Sequence, residues 1–130
     1  REDNPAVHLA ERIARDIVPE PPQTGAPTCG PGPFSMADAD VVGDQLLLAG
    51  FEQIRFERHD APLCIGRDLD EAVEFALELG PAGERLRLSP DGARLRPVVA
   101  RALADAFSPL LAPEGIWLGS STWIVTARRA

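Results

Sequence analysis

The sequence predicts a single α/β domain, in which helices alternate with a small number of strands. Apolar residues recur at helical spacing in several segments, and other segments alternate with a period of two or are rich in β-branched and aromatic residues. A chain of 130 residues can bury one core but is too short for two full domains. The apolar content of 45% and charged content of 25% are typical of a globular chain.

The first half of the chain predicts two helices and a strand. Asn4-Pro5 begins a helix that continues to Val18, because proline is favoured in the first helical turn. Residues 19–33 contain six prolines and predict an extended connector. Asp38 and Gly50 predict the N-cap and the C-cap of a second helix. Its inward-facing residues are expected to be Val41, Val42, Leu46, Leu48 and Ala49. A period of two then predicts a strand from Phe51, with Ile54 and Phe56 on its buried side.

The second half predicts two further helices and a last strand. Asp68 and Glu71 have the spacing of a capping box, and the helix they begin is expected to end at Gly80-Pro81. The longest helical pattern runs from residue 95 to 110, with Pro97 in its first turn or at a kink. The segment from residue 115 to 129 predicts a strand. Because residues 123–125 are apolar on both faces, we expect an interior strand that is covered on both sides.

Charge and residue types exclude several classes of function. A net charge of -7 disfavours a nucleic-acid binder. The chain contains no lysine and no tyrosine, which excludes a Schiff-base lysine, a phosphate-loop lysine and tyrosine acid catalysis. The prolines between Gly30 and Pro33 remove the N–H donors that a phosphate-binding loop presents. The absence of a long apolar stretch and the charged start predict a cytoplasmic protein with no membrane partner.

The residues that could carry acid–base or metal chemistry are few and scattered. Cys29 and Cys64 have no metal-binding or redox spacing, which favours free thiols over a disulfide or a metal pair. His8, His59 and Asp60 are the only residues that could form a metal or acid–base cluster, but His8 is far in sequence from the other two. We expect a solvated His8 and a pair of His59 and Asp60 at a strand end instead. We therefore predict no metal ligand, and no residue is assigned a catalytic role.

Several short blocks resemble the C-terminal half of class I S-adenosylmethionine-dependent methyltransferases. The blocks are GPFSMAD at 32–38, AGF at 49–51, DLDEAVEF at 68–75 and TWIVTAR at 122–128, with Asn4-Pro5 resembling the segment that precedes them. The resemblance implies that the single domain, residues 1–130, is the C-terminal portion of that fold. It would then hold a partial Rossmann-like sheet with covering helices. Residues 51–63 would be the sixth strand and residues 115–129 the antiparallel seventh, in a hairpin-like pair.

The resemblance also implies a function. The family binds S-adenosylmethionine through a glycine-rich loop after its first strand and an acidic residue after its second, and this chain has neither. The chain would thus be the substrate-side part of a methyltransferase, inactive alone and with no cofactor of its own, whereas the full-length enzyme would take S-adenosylmethionine and a small-molecule substrate. Phe34, Met36 and Trp117 are the substrate-binding candidates. Loop or core anchoring is the alternative role for the first two, and strand packing for Trp117.

Two expectations concern partners. A non-catalytic binding or assembly module with the same half-fold is the alternative function. A half-sheet leaves a strand edge and apolar helix faces open, and such surfaces tend to associate. We therefore expect a homo-oligomer, formed by strand pairing or by exchange of the N-terminal helix across the connector.

Overall fold

Two long strands and five α-helices form the part of the chain that the computed structural model describes, residues 3–20 and 32–129. The elements are α1 (Pro5–Ile17), α2 (Ala39–Leu48), β1 (Phe51–Gly66), α3 (Leu69–Glu78), α4 (Pro81–Leu88), α5 (Gly92–Phe107), a 3-10 turn (Ser108–Leu110) and β2 (Ile116–Arg129). The predicted α/β class is confirmed. Cys29 and most of the proline-rich connector lie outside the described residues.

The sheet consists of β1 and β2, which pair antiparallel over almost their whole length. Phe51 lies opposite Arg129 at one end, and Gly66 lies opposite Ile116 at the other. A register shift near Gln53, whose φ is 52°, marks a bulge in β1. The antiparallel pairing agrees with the expected relation of the two segments, although helices α3, α4 and α5 separate them in the chain.

The core lies between helices α1, α3, α4 and α5 and the adjoining ends of the strands. Its largest fully buried side chains are Val18, Val99, Leu103, Phe107 and Ile116. Helix α1 buries Ala6, Ala10 and Ala14, which recur every fourth residue and so lie on one face. These small side chains allow neighbouring helices to approach α1 closely.

Local sequence signals set the beginnings of α2 and α3. Asp38 caps α2 by accepting two backbone N–H bonds, and Gly50 follows the helix with a φ of 83°, as predicted. Asp68 accepts the backbone N–H of Glu71, but the Glu71 carboxylate turns to the side chain and backbone N–H of Arg67. These hydrogen bonds from Arg67 lower the pKa of Glu71 to about 2.

The expectation that residues 123–125 form a covered interior strand is wrong. Trp123, Ile124 and Val125 are 37%, 46% and 37% exposed. Within the described residues the sheet has only two strands, so β2 has a neighbour on one side alone. An apolar sequence on both faces does not supply the second neighbour that would bury it.

The expectation for the inward face of α2 is also wrong. Of the five residues expected to face inward from α2, only Val42 is buried, and Leu48 is 89% exposed. Among the described elements, β1 is the main packing partner of α2. Helix α5 begins at Gly92, so Pro97 lies beyond its first turn, inside the helix. Of the two alternatives for Pro97, the first turn is therefore wrong, and a kink stays a prediction. Pro81, which was expected only to end α3, also begins α4, since proline fits the first position of a helix.

Across the described ranges, no helix combines the length and the apolar character that crossing a membrane requires.

Candidate functional site

The segment before α2 forms a turn that carries Phe34 and Met36. The Ser35 N–H donates to the Gly32 carbonyl at 3.2 Å, and the Ala37 N–H donates to the Phe34 carbonyl at 3.2 Å. The Ser35 hydroxyl donates to the same Gly32 carbonyl at 2.9 Å. Gly32 has a φ of 83°, a conformation that glycine adopts without strain. The turn is therefore held by its own hydrogen bonds.

Trp123 of β2 fastens this turn to the sheet. Its indole N–H donates to the Ala37 carbonyl at 3.0 Å. Its ring meets the Phe56 ring edge to face, with 6.0 Å between centroids and an interplanar angle of 85°. Sequence reasoning assigned Trp123 no role in the site. Its position in the TWIVTAR block is the signal that could have drawn attention to it.

A cavity of about 490 Å³ opens between the turn, the sheet and the start of α1. Its volume falls within the range of small-molecule sites. Apolar side chains from three elements line it, with polar groups beside them; the main contributors are Phe34, Met36, Val42, Trp123 and Val125, together with Asn4, Arg58, Ser121 and Thr122. Met36 is 60% exposed and Phe34 is half-buried, so both are accessible from this cavity. The structure thus brings these two predicted site residues together.

Asn4 closes one side of the cavity by binding the edge of β2. Its amide nitrogen donates to the Ser121 carbonyl, and its amide oxygen accepts the Ser121 N–H, each at 3.0 Å. The Asn4 side chain therefore pairs with β2 as the backbone of a neighbouring strand would. This contact places the first turn of α1 against the sheet.

Arg58 lies at the polar rim between two carboxylates. It donates to Asp60 at 2.8 Å and lies 3.4 Å from Asp3. Hydrogen bonds from Arg58 and then from Ser121 lower the pKa of Asp60, and the bond to Asp60 raises the pKa of Arg58. Asp3 and Arg58 line the cavity with opposite charges, and Asp60 pairs with Arg58 from outside the lining. Because protein carboxylates already pair with this guanidinium, the rim does not favour an anionic ligand.

A second cavity, of about 1040 Å³, lies on the other side of the turn, against the corner between α3 and α4. Phe34 lines both cavities. The arginines of the second cavity pair with its glutamates: Arg96 bonds to Glu78 at 2.7 Å, and Arg87 bonds to Glu84 at 2.9 Å. Both arginines are thus already paired with carboxylates of the protein itself.

The third substrate candidate, Trp117, lies elsewhere. It is 50% exposed, and its indole N–H donates to the Glu114 carbonyl at 3.0 Å. It lines neither of the two cavities. Six residues of extended strand, about 20 Å, separate it from Trp123. Its role in substrate binding stays a prediction that the structure does not connect to Phe34 and Met36.

The structure does not bring the acid–base candidate His8 of α1 together with His59 and Asp60 of β1. His8 is on α1 and has a buried Nδ1 with no hydrogen-bond partner among the described residues, whereas His59 is exposed on β1 opposite Thr122. Cys64 is half-buried and forms no disulfide within the described residues, and its thiol donates to the Gly66 carbonyl at 3.6 Å. No group of three potential metal ligands occurs in the portion of the chain that is described.

The described part of the glycine stretch offers few backbone N–H groups to a cofactor such as S-adenosylmethionine. Of the proline-interrupted glycine stretch, the described part is Gly32 and Pro33; the Gly32 carbonyl is used within the turn, and Pro33 has no N–H to offer a ligand. Comparison of the chain with models of known protein families, with curated proteins and with solved structures gave no match.

Proposed function

We propose that the chain is the C-terminal, substrate-side part of an S-adenosylmethionine-dependent methyltransferase and is inactive without the part of the enzyme that holds the cofactor. One observation carries the proposal. Two of the blocks that resemble the family, residues 32–38 and 122–128, meet in the fold through the bond between the Trp123 indole and the Ala37 carbonyl. The antiparallel pairing of β1 and β2 supports it further, because the resemblance implies that arrangement.

The cavity between these blocks suits an apolar small molecule with a neutral or cationic polar group. Phe34, Met36 and Trp123 would contact its apolar surface, while Arg58 at the rim is already paired with Asp3 and Asp60 and so does not favour an anion. Holding a substrate in a fixed orientation is itself a large part of the catalysis of a group transfer. The contribution proposed for this chain is therefore substrate binding and orientation, with no chemical step assigned to its side chains.

The first test is cofactor binding by the chain itself. Calorimetric titration of S-adenosylmethionine into the purified chain should give no binding at micromolar concentration, because the glycine-rich loop and the acidic residue of the family are absent. Micromolar affinity for S-adenosylmethionine would contradict the proposal that another part of the enzyme holds the cofactor. The reading frame upstream of Arg1 provides an independent check: it should encode a glycine-rich turn between a strand and a helix. A frame without that turn favours the non-catalytic module.

The second test is Phe34→Ala in the full-length parent enzyme, with Leu48→Ala on the exposed surface of α2 as the matched control. Phe34→Ala should raise the Michaelis constant for the substrate or lower turnover, whereas the control should change neither. Because Phe34 is only half-buried, its truncation should cost about 1.5 kcal/mol of stability, below the 3 to 5 kcal/mol of a fully buried phenylalanine. A large stability loss with unchanged kinetics would make Phe34 an anchor of the fold instead.

A further inference from the structure

The two edges of the sheet differ sharply in charge. Between residues 52 and 60, β1 carries the charged or titratable side chains Glu52, Arg55, Glu57, Arg58, His59 and Asp60. Between residues 116 and 127, β2 carries none. Charged side chains on an edge strand oppose pairing with another chain. The charged side chains of β1 therefore oppose pairing of its edge with another chain, whereas β2 has no such side chains between residues 116 and 127.

The backbone of β2 has hydrogen-bonding groups available along its outer edge. The N–H and the carbonyl of Ser121 both point to that edge, since both bond to the Asn4 side chain. Residues of an antiparallel strand alternate in this respect, so Trp123, Val125 and Ala127 direct their N–H and carbonyl groups to the same edge. Among the residues described, none of these groups has a backbone partner on that side.

We propose that this edge pairs with β2 of a second copy of the chain. The two strands would run antiparallel, with Val125 of one copy opposite Val125 of the other and Trp123 opposite Ala127. This register joins three pairs of outward-facing residues through about six backbone hydrogen bonds. It begins just beyond Ser121, where the Asn4 side chain already occupies the edge.

The chemistry of the strand favours a second copy as the occupant. The five residues from Trp123 to Ala127 are uncharged, so no like charges face each other, and the large Trp123 meets the small Ala127. Beyond them, Arg129 lies opposite Ser121 of the other copy, where Asn4 is bound and Asp3 precedes it in the chain. The basic end of each strand thus meets an acidic neighbour. The symmetric pairing uses both open β2 edges and closes at a dimer.

This inference goes beyond the proposed function and does not depend on it. The decisive variant is Val125→Pro, which removes an N–H directed at the second copy and none from the bonds between β1 and β2. Light scattering at about 100 μM should report a dimer for the unmodified chain and a monomer for Val125→Pro. Val125→Thr is the matched control, because it keeps the N–H and a β-branched side chain, and it should remain dimeric. Circular dichroism verifies that each variant is folded.

Cysteine cross-linking tests the register and does not rely on the proline variant. In a background with Cys29→Ser and Cys64→Ser, Val125→Cys should give an oxidised dimer, because directly opposed Cα atoms in a hydrogen-bonded pair are about 5.5 Å apart. Ile124→Cys faces Thr126 of the other copy and should cross-link far less. A monomeric unmodified chain, an oligomer larger than a dimer, a folded proline variant that still dimerises, or equal cross-linking at both positions would each overturn the proposal. If the unmodified chain is a monomer, the outer edge of β2 would be available for pairing with a strand of a different protein.

Discussion

Replacing Gly83 of α4 by alanine should destabilise the fold, although glycine-to-alanine changes in helices usually stabilise. A Cβ atom on Gly83 would lie 1.9 Å from the carbonyl oxygen of Leu77 and 3.0 Å from its carbonyl carbon. Leu77 belongs to α3 and is buried, so its backbone can move only if the corner between the helices opens. Overpacking of this kind costs about 1 to 3 kcal/mol, against a gain of up to about 1 kcal/mol from helix propensity. We expect a net loss of about 1 to 2 kcal/mol.

Gly43 of α2 provides the matched control for this substitution. A Cβ atom there would meet only the Phe56 ring, at 3.7 Å, which is an ordinary contact. Gly43→Ala should therefore stabilise by up to about 1 kcal/mol. Urea and thermal unfolding measure both effects, and 1 kcal/mol corresponds to about 3 to 5 °C in Tm for a chain of this size. A Gly83→Ala variant as stable as the unmodified chain would refute the inferred tight corner between α3 and α4.

Two further predictions concern polar contacts. Arg67 lowers the pKa of Glu71 in the folded chain from its ordinary value of 4.5 to about 2, so the stabilisation from this pair is present above pH 4.5 and is lost as the pH falls towards 2. In urea titrations across this window, Glu71→Gln should lose less stability than the unmodified chain, and an identical pH profile would contradict the assignment. Arg85 donates to the carbonyl of the buried Val18 at 2.7 Å, so Arg85→Met should lower the free energy of unfolding by about 1 to 3 kcal/mol. Arg94→Met is the control, because Arg94 pairs with Asp91 on the surface and its loss should cost at most about 1 kcal/mol. Equal losses of stability in the two variants would count against the buried contact.

The parts of the fold that sequence reasoning predicts well are those with local causes. Asp38 and Asp68 cap their helices because a short side chain reaches backbone N–H groups two or three residues away. Gly50 ends the second helix because its left-handed conformation strains other residues. Each of these interactions is contained within a few residues, so the sequence holds all the information needed.

Burial is harder to predict because it depends on how many neighbours the fold supplies. The apolar residues 123–125 and Leu48 have the sequence patterns of covered positions, yet all four are exposed, and the described sheet has only two strands to cover them. The candidate site shows the same limit. Phe34 and Met36 are close in sequence and were predicted together, whereas the bond from Trp123 to Ala37 joins residues 86 positions apart and has no local signature.

The exposure of β2 has two separable consequences, because its side chains and its backbone edge face different surroundings. The Trp123 indole holds the turn that carries Phe34, while the outward backbone groups of Trp123, Val125 and Ala127 are open for pairing. Val125→Pro removes an edge N–H but also alters the cavity, since Val125 lines it, and so it tests only the oligomeric state. Phe34→Ala alters the cavity and leaves the backbone edge of β2 unchanged, and so it tests the site. If the chain is a dimer but Phe34→Ala leaves the kinetics unchanged, only the pairing of the β2 edge is supported. If the chain is a monomer but the parent enzyme depends on Phe34, only the substrate site is supported. The two proposals can therefore fail independently.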